Sequence, residues 1–115
     1  MSTRDLDYLL DILISAKLAL SYVSGKTFSA FEADIQCQDS VTRRLEIIGE
    51  AAKRLSQETR LSLPQIPWSD MIGMRNRMIH QYDKVNLAIV WDTVQNALSP
   101  LIEELEKVVP PENRT

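Results

Sequence analysis

The sequence predicts an all-α protein, an antiparallel four-helix bundle, and three observations predict it. Apolar residues recur at spacings of three and four along most of the 115 residues. Three glycines and five prolines leave little material for β-turns. The stretches between periodic segments are short, and short links make neighbouring helices antiparallel. The expected domain covers residues 1–109, and residues 110–115 are expected to be a disordered tail.

The first helix is expected from Thr3 to Val23, with Gly25 as its stop. Leu6, Leu9, Leu13, Ala16, Leu20 and Val23 form its stripe. Asp5, Asp7 and Asp11 lie near its start, where the helix dipole favours acids, and are expected to be solvated. A second helix is expected from after Ser29 to about Arg60. Its apolar face carries Cys37, Val41, Leu45, Ile48, Ala52 and Leu55. The opposite face carries Arg43, Glu46, Glu50, Lys53 and Arg54. Pro67 suits the first turn of a third helix, expected to reach Tyr82. Asp83 and Asn86 mark a turn. A fourth helix then carries Leu87, Val90, Val94, Leu98, Leu101, Leu105 and Val108. Pro100 falls inside that pattern and must kink the helix or split it.

Composition removes several functions. A single cysteine, Cys37, excludes an intramolecular disulfide and a thiolate metal cluster. A single histidine, His80, excludes a multi-histidine metal site within one chain. No apolar run approaches the roughly 20 residues of a membrane span. The segment Met1–Asp5 turns acidic at once and lacks a signal-peptide core, so the expected location is the cytoplasm. The net charge is -3, yet residues 41–84 hold eight basic and five acidic side chains. A local basic face can bind phosphate despite an acidic total; the alternative is a mixed, solvated surface.

The third helix sharpens the choice. On an ideal helix, Trp68, Met71, Ile72, Met78, Ile79 and Tyr82 share one stripe, with Arg75 in its middle. A guanidinium there is expected to be buried and to need a partner, for which Glu46 and Glu50 are candidates. Asn76 and His80, four apart, are surface neighbours on the flank, with Gly73 and Arg77. Gly73 would let a backbone or a phosphate come close. An imidazole moves protons near neutral pH, a guanidinium forks onto phosphate oxygens, and an asparagine orients either. The set suits metal-free RNA cleavage, in which the ribose 2′-OH attacks its own phosphate. One chain offers one histidine, so two chains pairing through this helix would complete the site. The plainer alternative is an ordinary helix-end histidine.

Arg75-Asn76-Arg77-Met78-Ile79-His80-Gln81-Tyr82 follows the pattern R-x4-H-x-Y. Together with Ile48-Gly49-Glu50-Ala51-Ala52-Lys53-Arg54-Leu55, Trp68 and Ile72-Gly73-Met74, it resembles the HepT-like HEPN ribonucleases, toxins of prokaryotic toxin–antitoxin pairs. The resemblance implies a dimeric HEPN-type bundle that cleaves RNA with neither metal nor cofactor. It implies that His80 transfers protons, that Arg75 contacts the phosphate and that Asn76 supports both. Arg77 and Gly73 are expected beside the RNA phosphates. It further implies a nucleotidyltransferase antitoxin of the MNT type, which attaches AMP to Tyr82 in a type VII-like system. The alternative function is a non-catalytic HEPN module that only binds a minimal nucleotidyltransferase.

Overall fold

The computed structural model describes residues 1–80 and 84–111, His80 by its backbone alone. Helix α1 runs Thr3–Val23, as its periodicity predicts. Ser2 caps its start by accepting from the Asp5 amide. Gly25 takes φ +75° just beyond its end, a left-handed conformation that glycine alone adopts without strain.

The expected second helix is three helices: α2 (Phe28–Glu32), α3 (Ile35–Arg54) and α4 (Gln57–Ser62). Two capping residues divide it. Asp34 accepts from the Cys37 amide and starts α3, and Ser56 accepts from the Thr59 amide and starts α4. Side-chain caps offer the backbone an alternative to the helical ladder, and apolar spacing does not reveal them.

α3 lies antiparallel on α1. Asp5, at the start of α1, accepts from the Ser56 amide just beyond α3, and the Cys37 thiol near the start of α3 donates to the Tyr22 carbonyl at the end of α1. The shared core includes Leu9, Ile12, Leu13 and Ala16 of α1 with Val41, Leu45, Ile48 and Ala52 of α3. Asp5 is not solvated. It is buried and accepts from the Ser56 amide at 3.1 Å, the Ser56 hydroxyl at 2.6 Å and the Thr59 hydroxyl at 2.7 Å. Those donors, led by the two hydroxyls, hold its carboxyl below the usual value of 3.8.

The expected third helix is shorter and broken. α5 (Trp68–Ile72) stops at Gly73, α6 (Met74–Met78) follows, and Ile79–His80 forms strand β1. β1 pairs antiparallel with β2 (Lys84–Val85), with Ile79 opposite Val85 and His80 opposite Lys84. The Met78 carbonyl accepts from the Asn86 amide, which takes the acceptor a continuing helix would use. Asn86 then caps α7 by accepting from the Ile89 amide.

α7 (Leu87–Asn96) and α8 (Leu98–Glu106) are the two halves of the split fourth helix. The break falls at Ala97, so Pro100 sits in the first turn of α8, where a missing N–H is tolerated. Val109, rather than Val108, is buried beyond α8. Phe28, Phe31 and Trp91 join α2 to α7, with the Phe31 and Trp91 ring centroids 5.3 Å apart. Residues 112–115, most of the expected tail, lie outside the described residues, as do Gln81, Tyr82 and Asp83.

Candidate functional site

The site begins with a glycine in α3. A Cβ built on Gly49 would lie 2.9 Å from the Met71 carbonyl oxygen of α5. Only a residue without a side chain lets the two backbones come this close. The tight backbone approach is thus at Gly49; at Gly73 a Cβ would meet only the Ser69 carbonyl oxygen, at 3.4 Å. Gly73 has an ordinary φ of -82° and serves as the joint between α5 and α6.

That joint resets the helical register. Trp68 and Met71 are buried from α5, and Met74 and Met78 from α6. On a continuous helix, Arg75 would have shared their stripe. With the break, Met74 takes the inward position and Arg75 turns out, its side chain 59% exposed. The expectation of a buried Arg75 is thus corrected. Its partner is Glu46, half-buried and 3.5 Å away, and with the guanidinium open to solvent the pair contributes little to stability. Glu50 instead pairs loosely with Arg54, at 3.9 Å.

Between α3 and the α5–α6 corner lies a groove of about 460 Å³. Arg43, Glu46, Gly49, Glu50, Lys53 and Arg54 line it from α3, Ile72 from α5, and Arg75 and Asn76 from α6. Four cationic side chains face two carboxylates. Arg43 and Lys53 have no ion-pair partner among the described residues. A concave, cation-rich surface suits a polyanion, whose phosphates would displace the weak internal pairs.

Of the residues expected at the site, Arg75 and Asn76 share this groove. Arg77 does not line it; its guanidinium donates to the Asp70 carbonyl at 3.4 Å. His80 lies two residues past α6, with its backbone in β1, so Asn76 and His80 are not the one-turn neighbours that a longer helix would make them. Tyr82 lies outside the described residues. Of the expected stripe, Trp68, Met71 and Met78 belong to the chain's own core, and Ile72 and Ile79 pack against it.

Sequence reasoning missed Gly49 as a contact residue. Its signal is a mid-helix glycine on a face otherwise carrying long polar side chains. Cys37 is a core residue: burial pushes its thiol pKa up, which disfavours the nucleophilic thiolate. Among the described residues, no group of three or more histidine, cysteine, aspartate or glutamate side chains is placed to hold a metal, and no helix is long and apolar enough to cross a membrane.

Residues 12–108 match the family described as ribonuclease HepT-like. A provisionally named RNase of Methanocaldococcus jannaschii is 37% identical over 102 residues, covering 89% of this chain and 84% of that protein. A probable ribonuclease HepT of Thermococcus cleftensis is 36% identical over 102 residues, 89% of this chain and 93% of that one. A provisionally named RNase of Caldanaerobacter subterraneus is 34% identical over 102 residues, 89% and 91% respectively. No solved structure matches the chain.

Proposed function

The chain belongs to the HepT-like ribonuclease family, and from that membership we propose that it is a metal-independent endoribonuclease, the toxin of a type VII-like toxin–antitoxin pair. The observation that carries this reading is the cation-rich groove holding Arg75 and Asn76; His80 follows in sequence, two residues past α6 on β1.

RNA runs along the groove with its phosphates on the cationic side chains. At the scissile phosphate, the ribose 2′-oxygen attacks phosphorus and the 5′-oxygen leaves. One His80 imidazole takes the proton of the 2′-OH. A second, protonated His80 gives a proton to the departing oxygen. Arg75 forks onto the equatorial oxygens as negative charge builds there, and Asn76 donates to the same phosphate. The products are a 2′,3′-cyclic phosphate and a 5′-hydroxyl.

A single chain holds one histidine. The acid and the base therefore come from two protomers, which face each other across the Arg75–Asn76 surfaces about a two-fold axis. Arg77 and Gly73 lie at the margin of the RNA path.

Control comes from a minimal nucleotidyltransferase of the MNT type. The Tyr82 phenol oxygen attacks the α-phosphorus of ATP, pyrophosphate leaves, and the phenolic proton goes to solvent. The attached AMP adds bulk and negative charge two residues from His80, and both exclude RNA.

Purified protein incubated with RNA is expected to yield cyclic-phosphate ends at the same rate with and without a chelator. Loss of cleavage with chelator would make it a metal enzyme. With the cognate nucleotidyltransferase and ATP, the mass of AMP is expected on the peptide containing Tyr82; AMP on another peptide removes that tyrosine from the account.

A further inference from the structure

We propose that a second cavity, between α4 and α5, seats a nucleobase of the RNA whose backbone occupies the groove. The proposal rests on the nuclease reading for its ligand and on separate residues for its site. The cavity measures about 470 Å³. Leu61, Pro64, Trp68 and Ile72 wall it, with Gln57 and Arg60 at its polar edge.

Three observations favour a base. Ile72 lines both this cavity and the cationic groove, so one nucleotide can place its phosphate in the groove and its base in the cavity. The Trp68 indole is already fixed, because its Nε1–H donates to the Arg60 and Leu63 carbonyls, each at 3.0 Å. It therefore presents carbon to the cavity and leaves the polar readout to Gln57, Arg60 and Ser69. Arg60 lines the cavity, and a guanidinium carries several N–H donors that suit the oxygen and nitrogen acceptors on a base edge.

Leu61 is 70% exposed, a large aliphatic side chain left open beside the cavity. Apolar walls with a few polar groups are how proteins hold bases, and every base has an apolar face to offer. A second protein would need roughly 800 Å² on each side for a stable interface. Leu61 is the only exposed large hydrophobic residue among those lining this cavity.

Two measurements test the proposal. In the first, the Trp68 indole N–H resonance is followed by NMR while a nucleoside monophosphate or ribose 5-phosphate is added. The expected result is a shift with the nucleotide and none with the sugar phosphate; equal responses overturn the proposal. In the second, Leu61→Ser and Gln57→Ala are assayed on RNA oligonucleotides that vary the base beside the cleavage site or replace it with an abasic residue. Leu61 and Gln57 are exposed, so both variants are expected to fold. Base preference is expected to fall roughly tenfold or more while abasic RNA is still cleaved. Unchanged preference overturns the proposal, as does a Leu61→Ser protein that changes only its oligomeric state, which would assign the cavity to a second copy of the chain. The two readings fail separately. Cleavage without a Trp68 response removes the base site alone, and a Trp68 response without cleavage removes the nuclease alone.

Discussion

The α1–α3 pair and the segment from Trp68 to Asn86 are built on opposite terms. In α1–α3, two long helices bury continuous stripes against each other, and the Asp5 network ties one end. In residues 68–80, two five-residue helices, a glycine joint and a two-residue strand stand where one helix was expected. The first region supplies stability and carries one wall of the groove on its outer face. The second spends regularity on direction: breaking at Gly73 sends Met74 inward and Arg75 outward, and ending at Met78 places His80 on an extended backbone. The difference teaches that a polar site can sit on a strongly apolar segment, provided the segment is broken so that its two kinds of residue face different ways.

Four substitutions sharpen that contrast. The largest effect is expected from His80→Ala, in the irregular segment. RNA cleavage is expected to fall by about 10²–10⁴, the usual contribution of a proton-transfer group, while thermal unfolding is unchanged. Retained cleavage would remove His80 from the chemistry. Arg75→Lys is expected to lose about 10², because a point charge lacks the fork; unchanged turnover would leave Arg75 as a surface residue paired with Glu46.

Gly49→Ala crosses from one region to the other. Its new methyl group would press on the Met71 carbonyl at 2.9 Å. The expected destabilisation is about 1–3 kcal/mol, with cleavage falling as α5 shifts from α3. A variant as stable and as active as the parent would show that the close approach is not required.

Asp5→Asn belongs wholly to the frame. Its carboxyl pKa is lowered in the folded protein, chiefly by the hydroxyls of Ser56 and Thr59. A carboxyl depressed on folding contributes stability that is complete above its ordinary value of 3.8 and is lost as the pH falls through the folded value. Asp5→Asn is therefore expected to lose about 1–2 kcal/mol at neutral pH, and the gap to the parent should close in acid. A gap constant from pH 7 to pH 2 would show that the charge contributes nothing. RNA cleavage per folded molecule is expected to be unchanged.

Legibility in the sequence followed the same division. α1 was readable because its apolar stripe and the stop at Gly25 agree; the Ser2 cap that fixes its start was not part of that reading. The split of the fourth helix was readable from Pro100. The breaks at Asp34 and Ser56 were not, since each depends on a side chain turning back to its own backbone within an apolar pattern that continues past it. Asp5 seemed a solvated acid because its donors lie more than fifty residues away. At the site, the residue types were legible and their directions were not. Arg75 looked buried on a continuous helix, and only the joint at Gly73 turns it out. Gly49 carried a weak local signal, because the backbone it accommodates belongs to another helix.

One histidine per chain makes the shared site the central claim. Its most direct test is to mix active protein with an Arg75→Ala/His80→Ala double variant, let the subunits exchange, and follow RNA cleavage as the active fraction falls. A site built by two protomers predicts activity that falls as the square of the active fraction, because mixed dimers lack one imidazole. Activity falling in simple proportion would show that each chain cleaves alone, and would contradict the account.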